Sequence, residues 1–202
     1  MLQLLLRSLV ERLGKEHPHH TVWNLMAMAS SAEKRSGGAG VADEKAEAAT
    51  AVVARLGADP SGGLREVIGQ MRRLRDAYIA ITEIVVPEHP KAGSKYELPR
   101  SVRSLGPLPA LPVLTAPLAV EAGGGYDGFA SHAGFDSAPL VLATGLSHPF
   151  IFHVIDSAGG RHKQLAKSGD DLRQDAAMQQ VRRISALCPA PVTALRYRRM
   201  RG

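Results

Sequence analysis

Near the end of this 202-residue chain, a lysine closes an apolar run, two aspartates follow it within four residues, and a third comes one helical turn later. Gln164-Leu165-Ala166 reads as the end of a strand with Lys167 at its tip. Ser168 and Gly169 turn the chain, and Asp170 and Asp171 open a helix that carries Asp175. Carboxylates are favoured in a first helical turn, where free N–H groups carry partial positive charge, so Asp170 and Asp171 alone mark only a helix start. Asp175 says more. It lies one turn past Asp171 on the same face, where like charges repel by roughly a few tenths of a kcal/mol. A nearby cation would cancel that cost, and Lys167 is the obvious one. The competing reading is an ordinary capped helix behind a solvated lysine.

The elements that must hold this lysine in place are short strands. Pro139–Thr144 and Ile151–Asp156 read as two of them, Ser157-Ala158-Gly159-Gly160 as a turn, and the residues up to Lys167 as a third. The loop Thr144-Gly145-Leu146-Ser147-His148-Pro149 joins the first two. Gly123-Gly124-Gly125 reads as a hinge or hairpin tip. Upstream, apolar residues recur at helical spacing: Leu2, Leu5, Leu6, Leu9, Val10 and Leu13, with Gly14 as the stop; then Val22, Leu25, Met26 and Ala29. A third helix capped by Asp43 buries Ala46, Ala49, Val52, Val53 and Leu56. The longest runs from Leu64 to Ile81, and its stripe is that of a core face, not a partner groove. His17-Pro18-His19-His20 is expected to be a loop leading into the second helix. Zinc needs about four well-placed ligands, and Pro18 splays these three imidazoles with no thiolate near. Seven prolines between Pro87 and Pro117 make that stretch a linker and domain boundary.

Composition bounds the remaining choices. The chain is 45% apolar with few aromatics, and no apolar run reaches the roughly 20 residues that span a bilayer. One cysteine, Cys188, leaves no internal disulfide and suits a reducing compartment. The net charge of +6 matches the six arginines after Asp175: Arg182, Arg183, Arg196, Arg198, Arg199 and Arg201. Such a tail either binds polyanions or is a solvated end.

A lysine ending a small-lobe strand and paired with an acid on the next helix is how protein kinases fix nucleotide phosphates. The string from Gln164-Leu165-Ala166-Lys167 through Asp170-Asp171-Leu172-Arg173-Gln174-Asp175-Ala176 to Met178-Gln179-Gln180 resembles the phosphatidylinositol-3-kinase-related protein kinases, most of all their ATM (ataxia-telangiectasia-mutated) branch. His17-Pro18-His19-His20-Thr21 and Asp76-Ala77-Tyr78-Ile79 resemble the end of the helical FAT region that precedes the catalytic domain in that family, and Leu111–Val120 the opening of its small lobe. The resemblance implies an α+β fold. A helical FAT-like segment (1–86) is followed by the proline-rich linker (87–111), a partial antiparallel-sheet small lobe with one helix (112–188) and a basic tail (189–202), with the large lobe absent. It also implies ATP-site roles: Lys167 on the phosphates, Asp175 and Asp170 orienting it, Gly145 and Ser147 in the phosphate-covering loop, and Leu165 lining the adenine slot. Two departures stand out: Phe150 follows Pro149 where the family carries a basic residue, and Ser157-Ala158-Gly159 replaces Ser-Asp-Gly.

Phosphoryl transfer also needs a catalytic Asp and Asp/Asn ligands for magnesium beyond the lysine. None follows Asp175, and the single asparagine is Asn24. The expectation is therefore a fragment of a nuclear, ATP- and magnesium-dependent serine/threonine kinase of the DNA-damage response. The intact enzyme would act on Ser-Gln or Thr-Gln sites. This piece would be inactive alone, bind no cofactor tightly, touch no membrane, and complete itself with the missing large lobe and the rest of the helical solenoid. The alternative is a non-catalytic helical interaction module whose basic tail binds nucleic acid.

Overall fold

The first helix, α1 (Leu2–Glu16), does not stop at Gly14 as its sequence suggests. Gly14 is buried, and a Cβ there would sit 2.5 Å from Leu56 Cδ1, so the glycine is a point of close approach between helices. The helix meets the core through Val10, while Leu4, Leu5, Leu6, Leu9 and Leu13 stay exposed. The second helix, α2 (Pro18–Glu33), begins at the proline itself. Proline suits a first helical position because the N–H it lacks has no helical partner there. His19 and His20 therefore lie in the first helical turn and not in a loop, which corrects the expectation. Next come α3 (Glu44–Gly57) and α4 (Gly63–Thr82), whose stripes are buried as their spacing predicts: Ala46, Ala49, Val52, Val53 and Leu56 on one, Ile68, Met71, Leu74 and Ile81 on the other. This computed structural model describes residues 2–33, 44–60, 62–136, 138–142 and 148–167. Asp43, the expected cap of α3, and the arginine tail lie outside them.

The proline-rich stretch holds a short helix, α5 (Arg100–Arg103), and a strand, β1 (Leu108–Pro112). Both were invisible in sequence because Pro109 and Pro112 argue against a strand. They are tolerated because β1 is an edge, pairing only with β2 (Ser131–Phe135) among the described residues. The outward N–H of Ala110 is not wasted; it donates to Oε1 of the buried Gln70 on α4 at 2.9 Å. The sheet continues antiparallel through β4 (Phe150–Asp156), which pairs with β2 and with β3 (Leu140–Val141) on one side and with β5 (Arg161–Ala166) on the other. A helical group followed by an antiparallel sheet is the expected α+β class.

Two hydrophobic clusters fill the interior. One joins α2, α3, α4 and β1; the other joins α4, α5 and the inner face of the sheet through Val102, Val141, Phe150, Phe152, Val154 and Ala166. Tyr78 of α4 packs against both. Residues 1–168 accordingly form one compact unit.

Candidate functional site

The β4–β5 hairpin carries the predicted lysine. Its register pairs Phe152 with Gln164, Ile151 with Leu165 and Phe150 with Ala166. Side chains alternate between faces along a strand. Phe150, Phe152, Gln164 and Ala166 are buried, whereas Leu165 is 55% exposed beside a half-buried Ile151. Lys167 follows the last paired residue, half-buried and engaged within the chain, so it is not a free surface cation. The hairpin thus brings Lys167 and Leu165 to one end of the sheet. The other four expected site residues, Gly145, Ser147, Asp170 and Asp175, lie outside the described residues. The described end of the β3–β4 connection places His148 at φ 39°, a left-handed conformation uncommon for a residue with a side chain.

At its far end the hairpin is closed by Asp156. Its Oδ1 accepts the N–H groups of Ala158 (2.9 Å) and Gly160 (2.7 Å), and its Oδ2 contacts His162 Nε2 at 2.6 Å. Gly160 has no room for a side chain, since a Cβ would meet Asp156 Oδ2 at 2.4 Å. Beside this hairpin lies a cavity of about 310 Å³ lined by Lys95, Leu140, Ile151, His153 and Arg161, with Arg161 ion-paired to Asp136. On its buried face, Gln164 accepts from the Tyr78 hydroxyl at 2.6 Å and donates to Thr115 Oγ1 at 3.0 Å. Sequence reasoning placed Tyr78 in the core stripe of α4 but had no signal for its partner 86 residues away.

His17, just ahead of α2, and His19 and His20, in its first turn, gather on an aromatic residue. His17 Nδ1 lies 2.6 Å from the Tyr126 hydroxyl, and the rings of His17, His19 and His20 all contact that of Tyr126. His19 Nδ1 and His20 Nε2 are buried without a hydrogen-bond partner. Among the described residues, no group of three His, Cys, Asp or Glu side chains is arranged to hold a metal ion. Nor is any helix long and apolar enough to cross a membrane.

These buried groups set an acid limit. Desolvation lowers the pKa of the fully buried His132 from 6.5, and desolvation followed by the charge of His20 lowers that of His19. The His162 contact, then the Gly160 N–H, lowers that of Asp156 from 3.8. In every case the unfolded chain binds the proton more readily, so stability rises with pH through each window. Stability is expected to decline first as pH falls below 6.5 and again as it falls below 3.8. His132→Leu should flatten the first decline in urea unfolding compared at about pH 7.5 and about pH 5.5. It should cost little at neutral pH, because neither His132 ring nitrogen has a hydrogen-bond partner. An unchanged first decline in that variant would remove His132 from the account.

No protein-family model matches the chain. Among curated proteins, the serine/threonine-protein kinase ATM of Arabidopsis thaliana is 34% identical over 88% of the chain. The serine-protein kinase ATM of Sus scrofa is 28% identical over 87%. The chain spans only 5% and 6% of their respective lengths. Among solved structures, the FAT and kinase domain of CtTel1 superposes with a TM-score of 0.72 at 26% identity, covering 89% of this chain and 12% of that one.

Proposed function

We propose, for a chain that belongs to the ATM-like branch of the phosphatidylinositol-3-kinase-related kinases, that it forms the nucleotide-facing half of a serine/threonine kinase site. The observation that carries this is Lys167: a half-buried cation at the tip of β5, with the exposed Leu165 two residues before it and Ile151 across the hairpin. That donor set fits ATP. The ammonium suits the α/β phosphates, and the apolar pair suits the adenine ring. Asp175 and Asp170 would orient Lys167, while Gly145 and Ser147 would supply backbone N–H groups over the phosphates. ATP with magnesium brings the transferable phosphoryl group. The chain's own contribution is to hold and orient it.

Within these 202 residues no Asp, Glu or Asn follows Asp175, so on this reading the magnesium ligands and catalytic aspartate would be supplied from outside them. The chain alone should not turn over. In the intact enzyme the family role would be nuclear phosphorylation of Ser-Gln and Thr-Gln sites after DNA damage. The uncovered leucine face of α1 suits packing against further helices of the solenoid.

An ATP-directed acyl-phosphate probe should acylate Lys167 and be competed by ATP. Lys167→Ala should weaken ATP binding by about tenfold or more, the scale of a charge-assisted phosphate contact. Undiminished binding in Lys167→Ala would overturn the nucleotide reading. Magnesium-dependent phosphate transfer by the purified chain, abolished by the same substitution, would overturn the claim of inactivity.

A further inference from the structure

We infer that the Tyr78–Gln164–Thr115 hydrogen-bond relay positions the lysine strand, so that the helical segment sets the placement of Lys167. The inference rests on the nucleotide reading above and names a control built into it. Among the described residues, β5 pairs with a single strand, β4, and so has one lateral support in the sheet. Its other anchorage comes from below, through Gln164. This side chain is 7% exposed and bonded at both ends, to the Tyr78 hydroxyl at 2.6 Å and to Thr115 Oγ1 at 3.0 Å. A buried amide satisfied at both ends cannot slide along the strand without leaving polar atoms unpaired in an apolar core.

Lys167 lies three positions after Gln164, a span of about 10 Å of extended chain, so what fixes one fixes the height and register of the other. Tyr78 is itself held firmly. Its ring packs against Trp23 of α2 (6.1 Å), Phe135 of β2 (5.9 Å) and Phe152 of β4 (6.0 Å). Burial raises the pKa of its hydroxyl, which keeps the hydroxyl protonated as a donor. It packs against both hydrophobic clusters, so a shift of the helices reaches β5 through this side chain as well as through the buried Ala166. Tyr78 and Gln164 are positioning residues; neither need touch the nucleotide.

The test uses the full 202-residue chain and two readouts, amide hydrogen exchange of residues 165–167 and Lys167 acylation by the ATP-directed probe. Tyr78→Phe keeps the ring and deletes one hydroxyl. It should speed local exchange and slow acylation about threefold to tenfold, the worth of one net hydrogen bond. Thr115→Val, at an exposed position, should act in the same direction without threatening the fold, and Thr115→Ser should restore both readouts. Faster exchange with unchanged acylation, well below the melting temperature, would reduce the relay to a structural tie and overturn the inference. No change in either readout would overturn it too. Lys167→Ala that leaves ATP binding intact would instead strike the nucleotide reading, while the exchange data would still report whether the relay holds β5.

Discussion

Phe152→Ala is expected to lower the unfolding free energy by about 3–5 kcal/mol, the range for emptying an aromatic site in a packed core. Phe152 is 1% exposed, and its ring lies 6.0 Å from that of Tyr78 and 5.8 Å from that of Phe135. It therefore fills the space between α4 and the sheet. Its neighbours cannot collapse freely into the hole, because Tyr78 is tied to Gln164 and Gln164 is the cross-strand partner of Phe152. The loss should contain a cavity contribution on top of the transfer free energy. Leu165→Ala on the same hairpin, truncating a side chain 55% exposed, should cost no more than about 0.5 kcal/mol. Urea unfolding followed by circular dichroism measures both. A loss below about 1 kcal/mol for Phe152→Ala would mean that the sheet does not pack on α4 through this face.

The contrast between these two residues shows where sequence was informative. On β4 five of the seven residues are apolar, so the sequence did not separate buried from half-buried positions, whereas helical spacing on α3 and α4 is a local pattern whose buried sets were legible because burial follows directly from the period. The same spacing on α1 misled: Leu5, Leu6 and Leu9 form a core-like stripe, yet the helix approaches its neighbours at Val10 and Gly14. Strands β1 and β2 could not be read because their stability is not local. Pro109 and Pro112 forbid an interior strand but not an edge one, and the donor left at Ala110 is satisfied by Gln70, 40 residues earlier. Pro18 makes His19 and His20 read as loop residues because a proline breaks a helix interior, yet it suits the first turn, where the structure places them. At the candidate site, the lysine at the end of a strand was legible from a short motif. The relay beneath it was not, since a Tyr–Gln–Thr contact has no sequence spacing of its own.

Gly124→Ala is expected to release the segment between β1 and β2 from the helices, at a cost of about 2–4 kcal/mol. Two independent obstacles meet at this residue. Its φ of +70° is a left-handed conformation that costs any side-chain-bearing residue roughly 1–2 kcal/mol. A Cβ there would also lie 2.8 Å from the backbone oxygen of Glu16, the last residue of α1, which cannot swing aside as a side chain would. If the segment retreats, the contact of Tyr126 with His17 at 2.6 Å is lost with it, along with the edge contacts of His19 with Tyr126 and Phe129. The cost is bounded, however, because retreat of this segment leaves the two hydrophobic clusters intact. Hydrogen exchange should therefore accelerate across residues 121–130 far more than across α4. Gly123→Ala and Gly125→Ala are the matched controls: neither has an atom within 4 Å of its would-be Cβ, so each should fall within about 0.5 kcal/mol of the parent. Equal tolerance at all three glycines would show that this segment does not rest on the end of α1. The histidine cluster would then have no aromatic partner to gather on.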